Sequence, residues 1–258
     1  MGNTLFVGKV LHTFETLPST NDYALDLLAK STPPEGTAVL ADNQTAGRGQ
    51  YGSRWYSAPG ENLLVSIILY PTWLKLAEQW LLSEAMAVAT RDAVTEITAL
   101  SAAIKWPNDI YLNTRKTGGI LIQCGLHSAH WQHAVVGIGL NVNQRYFPAE
   151  APNATSLALA CGRSFDRAQV LEHLFEAVEQ RYLQLRKGQK ALLRQAYRQH
   201  LLGFGQRRTF AYPDGRLFEA TAVDVSPEGR LLLETSNGLV AFDRKEVVWR
   251  FEDTPMDV

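Results

Sequence analysis

Three segments of the 258-residue chain combine residue types that can do chemistry. The first is Lys105-Trp106-Pro107-Asn108-Asp109. A lysine closing the apolar run AAI is a candidate buried cation, which needs an anionic partner to offset its desolvation. Asn108 and Asp109 offer hydrogen bonds suited to a ribose or a metal shell. The same five residues also fit a surface lysine beside a β-turn. The second segment is Gln44–Asn62, QTAGRGQYGSRWYSAPGEN. Between Asp42 and Glu61 it has no acid but carries Arg48 and Arg54, a local charge of +2. Gly47, Gly49 and Gly52 allow close backbone approach and an inward-facing set of N–H groups, as an anion nest requires, and Trp55 adds a face for stacking. An ordinary glycine-rich turn has about equal weight. The segment is neither a Walker loop nor a GxGxxG opening a helix. The third is Lys116-Thr117-Gly118-Gly119-Ile120 with the distant GIGLNVN of residues 137–143. Glycines in strands mark a bulge or a group pressed against the backbone.

The elements that must position these segments are legible from periodicity. Ser19 and Thr20 are N-cap residues before a short amphipathic helix through Tyr23, Leu27 and Leu28. TAVLA and NLLVSIILY read as strands, and the spacing from Leu74 to about Ile97 is helical. IKWPNDIYL reads as two short strands bent at Pro107. GILIQCGL and AVVGIGLNV form a hairpin across a polar turn SAHWQH. No Asp, Glu, Lys or Arg lies between Lys116 and Arg145, but the polar residues of that stretch exclude a membrane span. Val170, Leu174, Val178, Tyr182 and Leu185 mark a long helix, and residues 189–202 another. From about Gly203 five short strand candidates, RRTFAY, RLFEATAVDV, RLLLE, LVAF and VVWRF, alternate with turn chemistry, as in a small β-barrel. The expected fold is α/β (α+β), a mixed-sheet domain over 1–202 followed by a barrel over 203–258.

Composition narrows the function. The chain is 46% hydrophobic and 20% charged, with net charge −1, and its mean hydropathy is −0.14. That suits a compact globule without a global field for nucleic acid or membrane. Residues 203–258 carry 7 bases and 10 acids, which argues against a DNA-binding module there. Two cysteines, Cys124 and Cys161, make no disulfide framework, and no secretory signal opens the chain, so a reducing cytoplasm is expected. His127, His130 and His133 fall in the expected hairpin turn, and a metal reading of them is rejected.

The order and spacing of the motifs resemble those of the biotin protein ligase family. These are STN at 19–21, QTAGRG at 44–49, a tryptophan six residues later, KWPND at 105–109, KTGGIL at 116–121 and GIGLNVN at 137–143. The resemblance implies an α/β catalytic domain followed by an SH3-like barrel. It implies activation of biotin by ATP, with Mg2+, to biotinyl-5′-AMP and transfer to a lysine of a biotin carboxyl carrier domain. Ser19, Thr20, Asn21 and Gln44 would hold the biotin head group, and Arg48, Gly49 and Gln50 would line the closing loop. Lys105 would lie between biotin's carboxylate and the α-phosphate. Arg54, Trp55, Asn108, Lys116 and Asn141 would meet the nucleotide, and Asp109 would orient the acceptor lysine. No protein metal centre is implied.

Physical chemistry supports these roles. A carboxylate and a polyphosphate repel, and a fixed cation between them contributes about 4 kcal/mol per pair at ~4 Å and an effective dielectric of 20. Transfer at phosphorus needs alignment and charge stabilisation rather than an enzyme nucleophile. A mixed anhydride hydrolyses readily, so a loop that excludes water over it is useful. Many bacterial members carry arginine where this chain has Gln50 and Ser53; Arg54 and Lys116 are expected to compensate. The STN segment begins at residue 19, leaving no room before it for a helix-turn-helix, so no repressor activity and no nucleic-acid partner are expected. A sheet-edge homodimer is compatible with the family. Competing readings are a lipoate ligase or octanoyl transferase on the same fold, and a non-catalytic biotin-sensing module.

Overall fold

The computed structural model describes residues 3–127 and 130–249. Its elements are β1 (Leu11–Leu17), α1 (Thr20–Lys30), β2 (Ala38–Gln44), β3 (Leu63–Leu69), α2 (Trp80–Thr98), β4 (Ala102–Lys105), β5 (Asp109–Leu112), β6 (Arg115–His127) and β7 (His130–Leu140). There follow α3 (Leu157–Cys161), α4 (Arg167–Arg186), α5 (Lys190–Gln199), β8 (Arg207–Ala211), β9 (Leu217–Val225), β10 (Leu231–Thr235), β11 (Gly238–Phe242) and β12 (Val248–Trp249). A seven-stranded mixed sheet runs in the order β1-β2-β3-β7-β6-β5-β4, and a five-stranded sheet in the order β11-β10-β9-β8-β12. β1 and β2 are parallel; the other pairs are antiparallel.

Strand alternation decides which face of the large sheet does what. On β7, Ala134, Val136, Ile138 and Leu140 point into the main core beneath α2 and α4, while Val135 joins a smaller cluster under α1. The α1 side continues through Gly137 and Gly139, where side chains are absent. On β3 the odd residues Leu63, Val65, Ile67 and Leu69 enter the core, which leaves Leu64, Ser66 and Ile68 on the α1 side. One face is thus packed solid and the other opens into a cavity.

α1 starts at its expected cap: the Ser19 side chain accepts from the backbone of Asp22. Asp22 in the first turn and Lys30 in the last complement the helix dipole. The second long helix begins later than its periodicity suggests. Residues 76–78 form a single 3-10 turn, and α2 runs from Trp80. The β6–β7 hairpin extends further than expected. His130, Trp131, Gln132 and His133 belong to β7, not to a turn: His130, Trp131 and His133 pair with His127, Leu126 and Gly125, and the register shift at Gln132 resets the alternation so that Trp131 enters the core between exposed His130 and Gln132. Ser128 and Ala129 of the expected turn lie outside the described residues, as do Arg250 and Phe251 of the last strand candidate. β1 and α3 were not anticipated.

The small sheet packs on α5 and the end of α2. Arg198 pairs with Asp224 at 2.7 Å, and Trp80, Tyr197, Phe210, Leu231 and Leu233 share one apolar cluster. No helix among the described residues is long and apolar enough to cross a membrane.

Candidate functional site

The cavity over the open sheet face, about 190 Å³, is lined by residues from every motif singled out above. α1 contributes Ser19, Thr20 and Asn21, and Gln44 ends β2. The glycine-rich segment contributes Arg48, Gly49, Gln50, Ser53, Arg54 and Trp55. Asn108, Asp109, Lys116 and Gly119 come from the β5–β6 side, and Gly137 and Gly139 form part of the floor. A second cavity, about 220 Å³, adjoins it; both share Ser53, Arg54, Trp55 and Lys116, and the second adds Tyr111, Asn141 and Phe147.

One end of the first cavity is a buried polar network. The Thr20 backbone N–H and hydroxyl donate to Gln44 Oε1 at 2.7 and 3.0 Å. Ser66 Oγ lies 2.7 Å from Thr20 Oγ1 and 2.6 Å from Asn21 Oδ1, and Asn21 Nδ2 donates to Gln123 Oε1 at 2.7 Å. Ser66 and Gln123 were missed by sequence reasoning. Ser66 left a signal, since it is the one polar residue in the wholly buried strand LLVSIIL. Gln123 left none that separates it from any polar strand residue.

Gly119 and Gly139 are register partners, and the Trp55 indole lies on both. A Cβ on Gly139 would come within 2.6 Å of Trp55 Cε2, and one on Gly119 within 3.1 Å of Cζ3. Gly137 makes the same allowance for Asn21. The bulge considered for these glycines is found beside Gly118: the β5–β6 register shifts between Ile110 and Tyr111, which leaves Thr117 without a register partner between Lys116 and Gly118, whereas Gly119, Gly137 and Gly139 lie in regular β6–β7 pairing. Close approach by side chains is their reason.

Charges converge on the wall between the cavities. Lys116 Nζ sits 2.6 Å from Asp109 Oδ1 and 5.6 Å from the centre of the Trp55 ring. Arg54 lies over Tyr56, its Cζ 5.4 Å from the ring centre. Arg48, bridged to Arg54 through the backbone, is ion-paired with exposed Asp22, a partner not anticipated. Asn108 donates to Ile120 O. Asn141 is buried; its Nδ2 donates to Thr155 O at 2.9 Å, and its Oδ1 has no hydrogen-bond partner among the described residues.

Lys105 lines neither cavity. It is the register partner of Asp109 across the Trp106–Asn108 turn, with Nζ 5.8 Å from the Tyr111 ring centre. Burial lowers its pKa, Asp109 opposes that shift and Lys116 adds to it, so its charge is felt at the cavity wall. Among the described residues no group of three or more His, Cys, Asp or Glu side chains forms a metal cage. Among the described residues, Asp109 is the one carboxylate lining the first cavity.

The Biotin/lipoate A/B protein ligase family matches residues 13–141. The chain is 36% identical over 239 residues to the bifunctional ligase/repressor BirA of Bacillus subtilis, covering 92% of this chain and 73% of that one. It is 30% identical over 234 residues to the biotin–[acetyl-CoA-carboxylase] ligase of Mycobacterium tuberculosis, covering 89% and 85%. The solved biotin protein ligase of Aquifex aeolicus in complex with biotin and ATP superposes with a TM-score of 0.78 at 27% identity, covering 94% of this chain and 99% of that one. The chain belongs to the biotin/lipoate protein ligase family.

Proposed function

We propose that the chain is a biotin protein ligase, acting on the biotin carboxyl carrier domain of a biotin-dependent carboxylase. A biotin carboxylate oxygen attacks the α-phosphorus of ATP, and pyrophosphate leaves. The amine of an acceptor lysine then attacks the acyl carbon of biotinyl-5′-AMP, and AMP leaves as the amide forms. The observation that carries this reading is the pair of adjoining cavities that share Arg54, Trp55 and Lys116. The first ends in the Thr20–Gln44–Ser66–Asn21 network, whose mixed donors and acceptors suit a ureido ring better than an alkyl chain. The second, holding Asn141 and its open Oδ1, suits an adenine.

In this reading Ser19, Thr20, Asn21 and Gln44 orient biotin, and Arg48, Gly49 and Gln50 cover it. Trp55, Arg54, Asn108, Lys116 and Asn141 hold the nucleotide. Lys105 supplies fixed positive charge behind Asp109, and Arg54 and Lys116 stand in for the cations absent at Gln50 and Ser53. Asp109, exchanging Lys116 for an acceptor lysine, would orient the incoming amine. With one carboxylate in each cavity among the described residues, Asp109 in the first and Glu150 in the second, the donor set fits Mg2+ carried on the nucleotide phosphates rather than caged by protein. Such an ion neutralises phosphate charge, and Asp109 is the side chain that would touch it.

Residues 203–258 form the SH3-like barrel of the family in this proposal, separate from the catalytic domain of 1–202. The net charge of −1 supports a ligase without a nucleic-acid partner, and the two free cysteines support a cytoplasmic one. A homodimer would form along the edge strand β1. Biotin-dependent release of pyrophosphate from MgATP tests the central reading, with lipoate as the control substrate. Release with biotin and none with lipoate supports it; the reverse makes the chain a lipoate ligase.

A further inference from the structure

The Trp106–Asn108 turn, with Lys105 at one end and Asp109 at the other, is held from outside the sheet that carries it. Ile104 N donates to His200 O at 2.7 Å and Leu202 N to Ile104 O at 2.8 Å, so the linker after α5 closes the open edge of β4. Tyr197 Oη donates to Pro107 O at 3.1 Å. Trp106 Nε1 donates to Gly229 O at 3.0 Å, a bond from the turn to the small sheet. These grips are joined to one another. Tyr197 is fully buried, its ring edge-on to Trp80 at 6.4 Å, and Trp80 lies against Gly229. Gly229 has φ +89°, and a Cβ there would meet the Trp80 ring at 2.5 Å. Phenylalanine would fill the apolar space at 197 equally well. The hydroxyl serves no packing purpose, and its burial is tolerable only because Pro107 accepts its proton.

We propose that Tyr197 and Gly229 are positioning residues for the ligase reaction, holding the Trp106–Pro107 turn so that Lys105 and Asp109 stay in register with the cavities. The proposal rests on the ligase reading of those cavities and adds to it a role for α5 and the small sheet. Neither residue lines either cavity, so neither touches substrate. Their influence is through the turn, where a displacement of ~1 Å can cost a factor on the order of 10² in rate. The biotin network lies on α1, β2, β3 and β6 and shares none of these grips. Adenylate formation and biotin binding therefore respond differently.

The test uses the full chain and two variants, Tyr197→Phe and Trp106→Phe, each removing a donor while keeping an aromatic ring. Biotin binding is measured by calorimetry, and kcat by biotin-dependent pyrophosphate release per biotin-binding site. Each variant is expected to bind biotin stoichiometrically with Kd within about twofold of native, and to lose about tenfold in kcat. The double variant should lose less than the product of the two, because both act through one turn. A kcat within about twofold of native in both single variants overturns the proposal. So does a fall in biotin affinity in step with kcat, which marks general loosening. If Tyr197→Phe does not fold, Trp106→Phe decides by the same criteria. A native protein that releases no pyrophosphate refutes the ligase reading and the proposal with it, whereas native turnover matched by the variants refutes the proposal alone.

Discussion

The glycine floor under Trp55 makes a graded prediction. A Cβ on Gly139 would sit 2.6 Å from the indole, and one on Gly119 would sit 3.1 Å from it. Ordinary carbon contacts begin near ~3.5 Å, so the ring must lift by about 0.9 Å in Gly139→Ala and about 0.4 Å in Gly119→Ala. The backbone beneath resists displacement, because both residues are paired on each side: Gly119 with Asp109 and Gly139, and Gly139 also with Leu64. With misplacement of ~1 Å costing a factor on the order of 10², Gly139→Ala should lower kcat/KM for ATP about 100-fold and Gly119→Ala about tenfold. Biotin binding without nucleotide should change by less than about threefold, since the Thr20–Gln44 network is untouched. Steady-state pyrophosphate release at varied ATP, with calorimetry for biotin, reads both quantities. The reasoning fails if Gly119→Ala is as damaging as Gly139→Ala, or if neither changes kcat/KM for ATP.

Ser66→Ala leaves Asn21 Oδ1 and Thr20 Oγ1 without a shared partner and should raise the biotin Kd about tenfold by calorimetry. Lys105 has a lowered pKa and is needed protonated, so activity should fall as pH rises through a value below the ordinary lysine range. Two bound anions push that pKa back up, and the alkaline limb should therefore lie at lower pH in kcat/KM than in kcat. Glu84 is buried, and desolvation outweighs Arg194 and Arg198 to raise its pKa from 4.5 to about 7. The folded state then holds a proton that the unfolded state has released, so stability falls as pH rises from about 4.5 to 7. Denaturant titrations at pH 5 and 8 should show Glu84→Gln losing less stability over that interval, by about 3 kcal/mol.

Strands with strong alternation or a continuous apolar run, such as β3 and β7, were legible because their period alone assigns faces. The short strands of the second sheet were legible from their turns, Pro213-Asp214-Gly215 and Pro227-Glu228-Gly229. β1 was not, since LHTFETL mixes exposed polar residues with only one buried leucine, as an edge strand does. The extent of the β6–β7 hairpin was hidden by HWQH, which reads as polar until Trp131 is seen to point inward. In the site, every residue expected to touch a ligand except Lys105 and Asn141 lines the first cavity, because local spacing brings glycines, arginines and caps together. The sequence could not show that Arg48 would pair with Asp22, or that Lys116 rather than Lys105 would stand at the cavity wall with Asp109. Those depend on side-chain placement across separate elements. Gln123 and Tyr197 act through partners 102 and 90 residues away, which no local pattern encodes.

Intact-mass spectrometry of a biotin carboxyl carrier domain, incubated with biotin, MgATP and either the native chain or Lys105→Ala, tests the central claim most directly. The native chain should add one biotin to one lysine of the carrier, and Lys105→Ala should leave the carrier almost entirely unmodified over the same time. A carrier left unlabelled by the native chain, or labelled at the native rate by Lys105→Ala, would contradict the account.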